Sequence, residues 1–386
     1  MKKQLWEAVL KSPDNLDARL VYADALTEDG DPRGEFISLQ CRMAANRLRG
    51  AALKEARARE AELLDAHREE WFGPVEKWLR ERDAYTLGQV KVERGFVTAC
   101  RLWVREADDV EALFKKAPLL ESLKLLGAET SSLAPLRALQ RLEAASDVST
   151  SVLEFIASGA RFERLTHLQL LGVNGVMTVD LTQLPALETL ESDVHARAVT
   201  LPPSLSSLQW RGASPALMTA LTGPPPALRR FGISRLRVDA SAVGALLVLA
   251  PRLERLVLDW AKFDVGQLAV LMKTPWPKLK ALDLSSATLG ADGPSLLAAL
   301  EAPQLESLDL SNTRLKDDAV SMLLSSPLLE HLKELSLRAN KVTAASLAPV
   351  LKRKHQLRLL NLKKTAVSPA EQQRLAREFP DTRLSR

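Results

Sequence analysis

The sequence predicts an α/β fold: a leucine-rich-repeat solenoid with a parallel β-sheet on its concave face, preceded by a small N-terminal helical module. Three observations predict it. The phrase L-x-x-L-x-L recurs eleven times between residues 119 and 362, at intervals of 18 to 27 residues. Apolar residues at helical spacing occupy much of residues 1–90. The composition is that of a folded protein, with 46% hydrophobic and 26% charged residues.

The first part of the chain predicts three or four helices. Apolar residues recur at helical spacing at Leu16, Leu20, Ala23 and Leu26. Asp29-Gly30 predicts a turn, and Asp31-Pro32 predicts an N-cap followed by a first-turn proline. We therefore expect a helical module and connector over residues 1–90 and the solenoid over residues 91–386, with a capping strand at its start and a capping helix at its end.

Several motifs in this module carry a family resemblance. They are Pro13-Asp14, RLVYAD from Arg19 to Asp24, DGDPRGEFI from Asp29 to Ile37, and Leu39-Gln40. With them, the first 42 or so positions resemble the bacterial repeat-companion domain, which stands at the N-terminus of proteins whose remainder consists of repeats. Further on, His67, Trp71, Gly73-Pro74 and the run from Arg94 to Val97 resemble the connection before such repeats. The resemblance implies a helical module paired with a solenoid, and it implies no established chemistry.

The acidic residues of the module allow two interpretations. They are Asp24, Glu28, Asp29, Asp31 and Glu35. One interpretation is a cation site. In the other, the first two pair with Arg19 and Arg33, and Asp31 caps a helix. A calcium loop needs ligands at alternate positions and a closing bidentate acid, and that register is absent. The second interpretation is therefore favoured.

The repeats begin with a stretch that alternates in polarity. Residues 96–104 predict a strand that closes the start of the solenoid, with Cys100 as a small core residue rather than a nucleophile. In each later phrase, the two leucines of the L-x-L segment point inward and the residue between them points outward. A single repeat cannot bury these leucines, so neighbouring strands must stack in a parallel sheet.

Between the strands, the sequence predicts helices in the C-terminal half, over 290–300, 315–326 and 342–353. Asp292 is the expected N-cap of the first of these, and Pro294 lies in its first turn. Repeats between 139 and 233 are shorter and rich in proline, which cannot supply helix hydrogen bonds. We expect extended segments or short turns there.

The longer repeats resemble the ribonuclease-inhibitor-like class of leucine-rich repeats, most clearly over 251–365. That class usually places Asn three residues past the last leucine of the strand, where it hydrogen-bonds the turn backbone. Only Asn340 fits this place; the equivalent residues are Ala261, Ala287, Thr313 and Thr365. Of the tryptophans, Trp210 occupies a leucine slot and is expected in the core, whereas Trp260 and Trp276 flank strands and are candidates for exposure.

No constellation for catalysis, cofactor binding or metal binding is found. Phosphate-loop, dinucleotide-binding and nucleophile-elbow motifs are absent, and the five histidines show no metal-ligand spacing. Two cysteines cannot build a disulfide framework, which favours a reducing compartment. With no signal-peptide pattern at the start and no apolar run of about 18 residues, we predict a cytoplasmic, non-enzymatic protein without cofactor, metal or transmembrane segment.

The repeats offer a surface instead. Residues around the paired leucines face the concave side and form an acidic stripe that turns basic. We predict that a protein partner binds there, through Arg255, Asp259, Asp283, Asp309, Arg338 and Lys363. The alternative interpretation of these residues is plain solvation.

A second surface follows from charge. No acid lies between Glu334 and Glu371, and the basic residues of that interval include Lys352, Arg353, Lys354, Arg358 and Lys364. Such a run suits nucleic acid or an anionic membrane, although the lack of interleaved aromatics argues against single-strand binding. A third hypothesis, regulation of a nucleotide-switch protein, rests on fold analogy alone.

Overall fold

The computed structural model describes residues 1–83, 90–173, 175–212, 214–264, 266–347, 357–378 and 382–385. The chain packs as two units, Met1–Val173 and Asn174–Arg386. The first unit contains the helical module and the first repeats, and the second contains the remaining repeats. The boundary near residue 90 between module and solenoid stays a prediction.

Four helices open the first unit, as the apolar spacing predicts. They are α1 (Lys2–Lys11), α2 (Leu16–Glu28), α3 (Pro32–Ala44) and α4 (Gly50–Arg82). The Asn15 side chain caps α2 by accepting from the backbone N–H groups of Asp17 and Ala18. Asp31 caps α3 by accepting from the Arg33 N–H at 2.9 Å, with Pro32 in the first turn, which confirms the predicted N-cap.

Arg19 is fully buried and holds the module together from inside. Its Nε and Nη2 atoms donate to the Pro13 carbonyl at 3.0 and 2.7 Å, and its Nη1 donates to the Arg94 carbonyl at 3.0 Å. The predicted pairing of Arg19 with Asp24 or Glu28 is wrong. The guanidinium points inward to backbone carbonyls, whereas both of those carboxylates are exposed.

The first repeats form a sheet within the first unit. Its strands, in spatial order, are β1 (Val90–Glu93), β2 (Phe96–Val104), β3 (Ser122–Gly127), β4 (Arg141–Ala145) and β5 (His167–Leu171). The first pair is antiparallel and the others are parallel. The predicted strand at the start of the repeats is therefore confirmed. Between the strands lie α5 (Asp109–Lys116), a 3₁₀ turn (Ala134–Ala138) and α6 (Asp147–Ala157).

The second unit repeats one parallel strand many times. Its main sheet consists of β7 (Thr189–Ser192), β9 (Ser207–Arg211), β10 (Arg230–Ser234), β12 (Arg255–Val257), β14 (Ala281–Asp283), β15 (Ser307–Asp309), β16 (Glu334–Ser336), β17 (Leu359–Asn361) and β18 (Arg383–Ser385). The middle leucines lie in exact register: Leu256 opposite Leu282, Leu282 opposite Leu308, and so on to Leu360. Each repeat thus adds one buried leucine to a continuous column.

Smaller elements cover the other side of this sheet. Two parallel strand pairs are β6 (Val176–Asp180) with β8 (His195–Thr200), and β11 (Arg237–Val238) with β13 (Lys262–Phe263). The helices are α7 (Pro215–Ala220), α8 (Ala240–Leu249), α9 (Gln267–Lys273), α10 (Gly293–Ala298), α11 (Asp317–Ser325) and α12 (Pro369–Glu378), with 3₁₀ turns at Pro327–Glu330 and Ala344–Leu347. Alternating strands and helices around a leucine column confirm the α/β leucine-rich-repeat solenoid.

The structure confirms some of the predicted helix caps and tryptophan positions and contradicts others. Asp292 takes the N-cap position of α10, but its side chain makes no capping bond. The predicted helix over 342–353 is described only as far as residue 347. Trp210 is 1% exposed, as expected of a core residue. Trp276 is also 1% exposed, and its Nε1 donates to the Leu271 carbonyl at 3.0 Å, so its candidacy for exposure is wrong.

The prediction of extended segments between 139 and 233 is correct in one part and wrong in another. Strands β6 and β8 are extended, as predicted. However, α6 is an eleven-residue helix. Its sequence contains no proline, and Val148, Val152 and Ile156 recur every four residues and are buried, which is the pattern of an amphipathic helix.

One residue in nearly every repeat has a left-handed backbone, four positions after the middle apolar residue of the strand. These residues are Gly127, Ser146 and Gly172 in the first unit, and Gly212, Arg235, Trp260, Ser286, Asn312, Ala339 and Lys364 in the second. The left-handed turn directs the residue's N–H toward a carbonyl of the next repeat, as in Ala339 to Lys363 at 2.9 Å. Most of the later repeats therefore hold a side chain where glycine would be unstrained.

We expect Ala339→Gly to stabilise the second unit by about 0.5–1 kcal/mol, because glycine adopts this φ of +58° without the steric penalty of a Cβ atom. The matched control is Ala366→Gly, which lies two residues past the equivalent position in the next repeat and has no positive φ. Glycine there should be neutral or destabilising. Urea denaturation of both variants measures the difference, and a destabilised Ala339→Gly protein would refute the strain argument.

Candidate binding surface

The solvent-facing side of the last repeats is built by the strand register. We call it the strand face: the residues before, between and after the paired leucines of β12, β14, β15, β16 and β17. Its members are Arg255, Val257, Asp259, Ala281, Asp283, Ser285, Ser307, Asp309, Ser311, Glu334, Ser336, Arg338, Leu359, Asn361 and Lys363. Because adjacent strands lie about 4.8 Å apart, the face spans roughly 20 Å across its five strands.

Two of the predicted acidic residues are direct neighbours, and the third is offset. Asp283 and Asp309 are opposite one another in β14 and β15. In β12 the residue opposite Asp283 is Val257, so Asp259 lies two residues further along its strand. The Asp259 carboxylate accepts from the Ser234 hydroxyl at 2.7 Å. The three acids therefore form a bent cluster rather than a straight stripe.

Asp283 and Asp309 each also accept a hydrogen bond from the backbone just after their own strand. Asp283 Oδ1 accepts from the Ser285 N–H, and Asp309 Oδ1 accepts from the Ser311 N–H, both at 2.8 Å. In β17 the same place is held by Asn361, whose Oδ1 accepts from the Lys363 N–H at 3.1 Å. One oxygen of each acid thus closes an Asx turn.

Burial raises the pKa of Asp283, and the neighbouring carboxylates of Asp309 and Asp259 raise it further. The bonds from Ser285 act in the opposite direction and do not offset burial. The ionised carboxylate is thus held at a site that disfavours its charge. A cationic group of a binding partner placed beside Asp283 would stabilise the ionised carboxylate.

We expect Asp283→Asn to stabilise the protein at pH 7. A folded-state pKa raised above the unfolded value of about 3.9 makes the ionised form unfavourable in the fold. This penalty is fully present above the folded pKa and disappears as the pH falls to the unfolded value. Urea denaturation at pH 7 and pH 3.5 should show the variant's advantage only at pH 7. An equal advantage at both values, or none, would contradict it.

The basic part of the face begins on β16, the strand next to that of Asp309. Arg338 and Lys363 are exposed and follow β16 and β17, and Arg255 is exposed on β12. Ser311 and Ser336 lie between the acids and these cations, with their hydroxyl oxygens 2.7 Å apart. The six predicted residues therefore share one surface, in which acids in the centre are flanked by cations.

The predicted basic patch is more scattered. Lys352, Arg353 and Lys354 lie outside the described residues. Arg358 precedes β17 and Lys364 follows it, so the strand separates them. Arg358 directly precedes β17, and the residues that directly precede the other four strands of the face are Glu254, Lys280, Glu306 and Lys333. These charges alternate in sign from strand to strand. Lys280 pairs with Glu254 at 3.2 Å, and Lys333 pairs with Glu306 at 2.5 Å.

Sequence reasoning missed a groove beside the strand face. Trp260 is 55% exposed and, with Lys262, forms one wall. Asn312, Arg314 and Lys316 form the other wall, and the small side chains of the intervening repeat form the floor, enclosing about 610 Å³. The signal was present in the sequence: each wall residue stands at a fixed offset from a middle leucine.

Neither cysteine is activated. Burial raises the pKa of the Cys100 thiol to about 12 and also raises the pKa of the Cys41 thiol. Among the described residues, no three potential metal ligands come together. No described helix has the length and apolar character needed to cross a bilayer.

Comparisons with known proteins give distant structural likenesses only. No family model and no curated protein matches the chain. The TLR13–ssRNA13 complex is 16% identical with a TM-score of 0.47, over 78% of this chain and 50% of that one, so the chain spans half of that protein's length. An LRR protein of Leptospira interrogans is 16% identical with a TM-score of 0.29, over 70% and 91% of the two chains. An internalin of Listeria monocytogenes is 15% identical with a TM-score of 0.36, over 80% and 92%.

Proposed function

We propose that the chain is a non-catalytic scaffold that binds a protein partner through the strand face. One observation carries this proposal: Asp283 and Asp309 are held in register and half-buried, and neither forms an ion pair at 4.0 Å or less within the described residues, with Arg338 and Lys363 exposed on the same face. Fixed strands present these groups at little ordering cost. A partner with a basic group opposite the acids and an acidic group opposite the cations would fit.

The extent of the surface favours a protein over a small molecule. Five strands present an open array of mixed charge, whereas small-molecule sites are concave and mostly apolar. Opposite charges in a fixed order specify the register of a partner more than its affinity. A regulator of a nucleotide-switch protein would be one case of this function, and no contact on the face favours it over other partners.

The organisation of the chain belongs to the same proposal. Residues 1–90 would act as a helical module of the repeat-companion kind that caps the repeats of residues 91–386, in a bacterial cytoplasmic protein. Arg19 supports the capping role, because it joins the Pro13 turn to the Arg94 carbonyl immediately before β2.

A second candidate function is binding of a phosphate-bearing polymer, supported by the groove beside Trp260. An exposed indole beside Lys262, Arg314 and Lys316 offers a stacking surface and cations. Asp318 on the groove's lining reduces the positive charge. Binding at this groove should weaken steeply with added salt, because phosphate contacts release counterions. Salt-independent binding would exclude it.

Site-specific photo-crosslinking tests the strand face. A photoreactive residue at Val257, which lies on β12 opposite Asp283, should cross-link a partner in extract of the native cell. The matched control is the same residue at Val248, which is 39% exposed on α8. We expect a cross-linked protein from Val257 that is absent from Val248. Equal products from both positions would contradict binding through this face.

A further inference from the structure

A cleft in the first unit is lined by aromatic side chains from the helices and from β2. Trp6, Tyr22, Trp71, Phe72 and Phe96 contribute to its walls, and it encloses about 370 Å³. The rings of Trp6 and Phe96 lie 5.2 Å apart, and those of Trp6 and Tyr22 lie 5.6 Å apart. A volume of this order suits a small molecule.

Three cationic side chains line this cleft: Arg33, Lys115 and Lys116. The Arg33 guanidinium carbon lies 5.5 Å from the centre of the Phe96 ring and 5.7 Å from that of Phe72. Its Nε is buried and has no hydrogen-bond partner. By contrast, the buried Asp83 Oδ2 and Arg101 Nε atoms form an ion pair at 3.2 Å.

The acids near Arg33 are engaged elsewhere. Asp31 uses its carboxylate to cap α3 through the Arg33 backbone N–H, and Glu70 contacts His67 at 3.3 Å. Within the part of the chain that the structure describes, no carboxylate forms an ion pair with the Arg33 guanidinium at 4.0 Å or less. Burial is the largest influence on this group and lowers its pKa.

A partly buried cation that has a buried Nε without a hydrogen-bond partner and no ion pair is unfavourable, and cation–π contacts with two phenylalanines offset only part of the lost hydration. The fold would be more stable with an apolar side chain at this place. A ligand that brings its own negative charge would satisfy the guanidinium and fill the aromatic walls.

We propose that this cleft is a binding site for a small aromatic carboxylate, with the ring packed among the Trp6, Trp71 and Phe96 side chains and the carboxylate on Arg33. A guanidinium matches the planar fork of a carboxylate. Of the two lysines that line the cleft, Lys115 is paired with Glu111 at 2.8 Å and Lys116 lies 5.9 Å from the Trp78 ring, whereas the Arg33 guanidinium lies beside the Phe72 and Phe96 rings of the cleft. The site is independent of the strand face and would give the helical module a ligand of its own.

Calorimetric titration with two matched compounds tests the site on the unaltered full chain. Indole-3-acetate carries the carboxylate, and indole-3-acetamide has nearly the same shape without the charge. We expect the acetate to bind at least tenfold more tightly. Equal binding of the two compounds, or no binding of either at millimolar concentration, overturns the proposal.

Two variants test whether the Arg33 guanidinium binds the carboxylate. Arg33→Gln should abolish the preference for the acetate while leaving the melting temperature unchanged or higher. Arg57→Gln, an exposed arginine of α4 in the same module, should keep the preference. An Arg33→Gln protein that melts lower yet keeps the preference would assign Arg33 a purely structural role and overturn the proposal.

Discussion

Replacing Arg19 with methionine is expected to lower the free energy of unfolding of the first unit by about 3–5 kcal/mol. The side chain is fully buried and donates three hydrogen bonds to the carbonyls of Pro13 and Arg94. Methionine fills a similar volume but leaves both partly buried carbonyls without these donors. Urea denaturation, followed by tryptophan fluorescence, measures the loss.

The location of the damage is also specified. Hydrogen exchange should accelerate in α1, α2 and the β1–β2 pair and stay unchanged in the second unit. The exposed Arg57 supplies the control, since Arg57→Met should change stability by less than about 0.5 kcal/mol. A loss under 1 kcal/mol in Arg19→Met would mean that water replaces the guanidinium.

Asn340→Ala is expected to destabilise the second unit by about 3–5 kcal/mol. The Asn340 amide is 4% exposed. Its Oδ1 accepts from the backbone N–H groups of Thr313 and Leu315 at 3.1 and 2.9 Å, and its Nδ2 donates to the carbonyls of Leu310 and Leu337 at 2.8 and 3.0 Å. Alanine leaves the N–H groups of Thr313 and Leu315 and the carbonyl of Leu337 without these partners, whereas the Leu310 carbonyl keeps the Thr313 hydroxyl at 2.6 Å.

The control for Asn340 is Asn361→Ala. Asn361 accepts one bond, from the Lys363 N–H at 3.1 Å, at a half-buried position, so its loss should be at most about 1 kcal/mol. Circular dichroism during urea denaturation compares the two variants. An equal loss of unfolding free energy in both variants would show that the four hydrogen bonds of Asn340 stabilise the fold no more than the single bond of Asn361.

Asn340 also shows what the sequence can predict. Its place in the repeat pattern indicates a bond to the turn backbone, and the structure confirms that role. The strands and their register follow in the same way, because a short repeated phrase can be buried only by stacking each copy on the next. The local sequence pattern is sufficient to predict the contacts of a repeat where its neighbours in the fold are other copies of the same repeat.

The remaining features depend on partners distant in sequence. Arg19 and Arg94 are 75 residues apart, and neither has a local signal that predicts their contact. Trp260 and Trp276 both flank strands, yet one is exposed and the other is 1% exposed because its indole reaches the Leu271 carbonyl. The contact of Trp276 with α9, the helix before it, distinguishes the two.

The sequence predicts which residues lie on the strand face, but the expected acidic stripe is a bent cluster. Alternation along each strand identifies which residues face solvent. The offset of Asp259 from Asp283 follows from the strand register, which places Val257 opposite Asp283. Likewise, Arg358 and Lys364 are close in sequence but lie at opposite ends of a strand, so a basic run need not form a basic patch.

Quantitative affinity capture with the full-length protein tests the central claim, binding of a protein partner by the strand face. The unaltered chain is compared with Asp283→Lys/Asp309→Lys on the face and with the charge-matched Asp65→Lys/Asp292→Lys on exposed positions outside it. Bound protein and nucleic acid are measured at low and high salt. We predict one protein retained at high salt by the unaltered chain and the control, and reduced at least tenfold by the face variant. Retention of that protein by the face variant, or elution of nucleic acid alone as salt rises, would contradict the account.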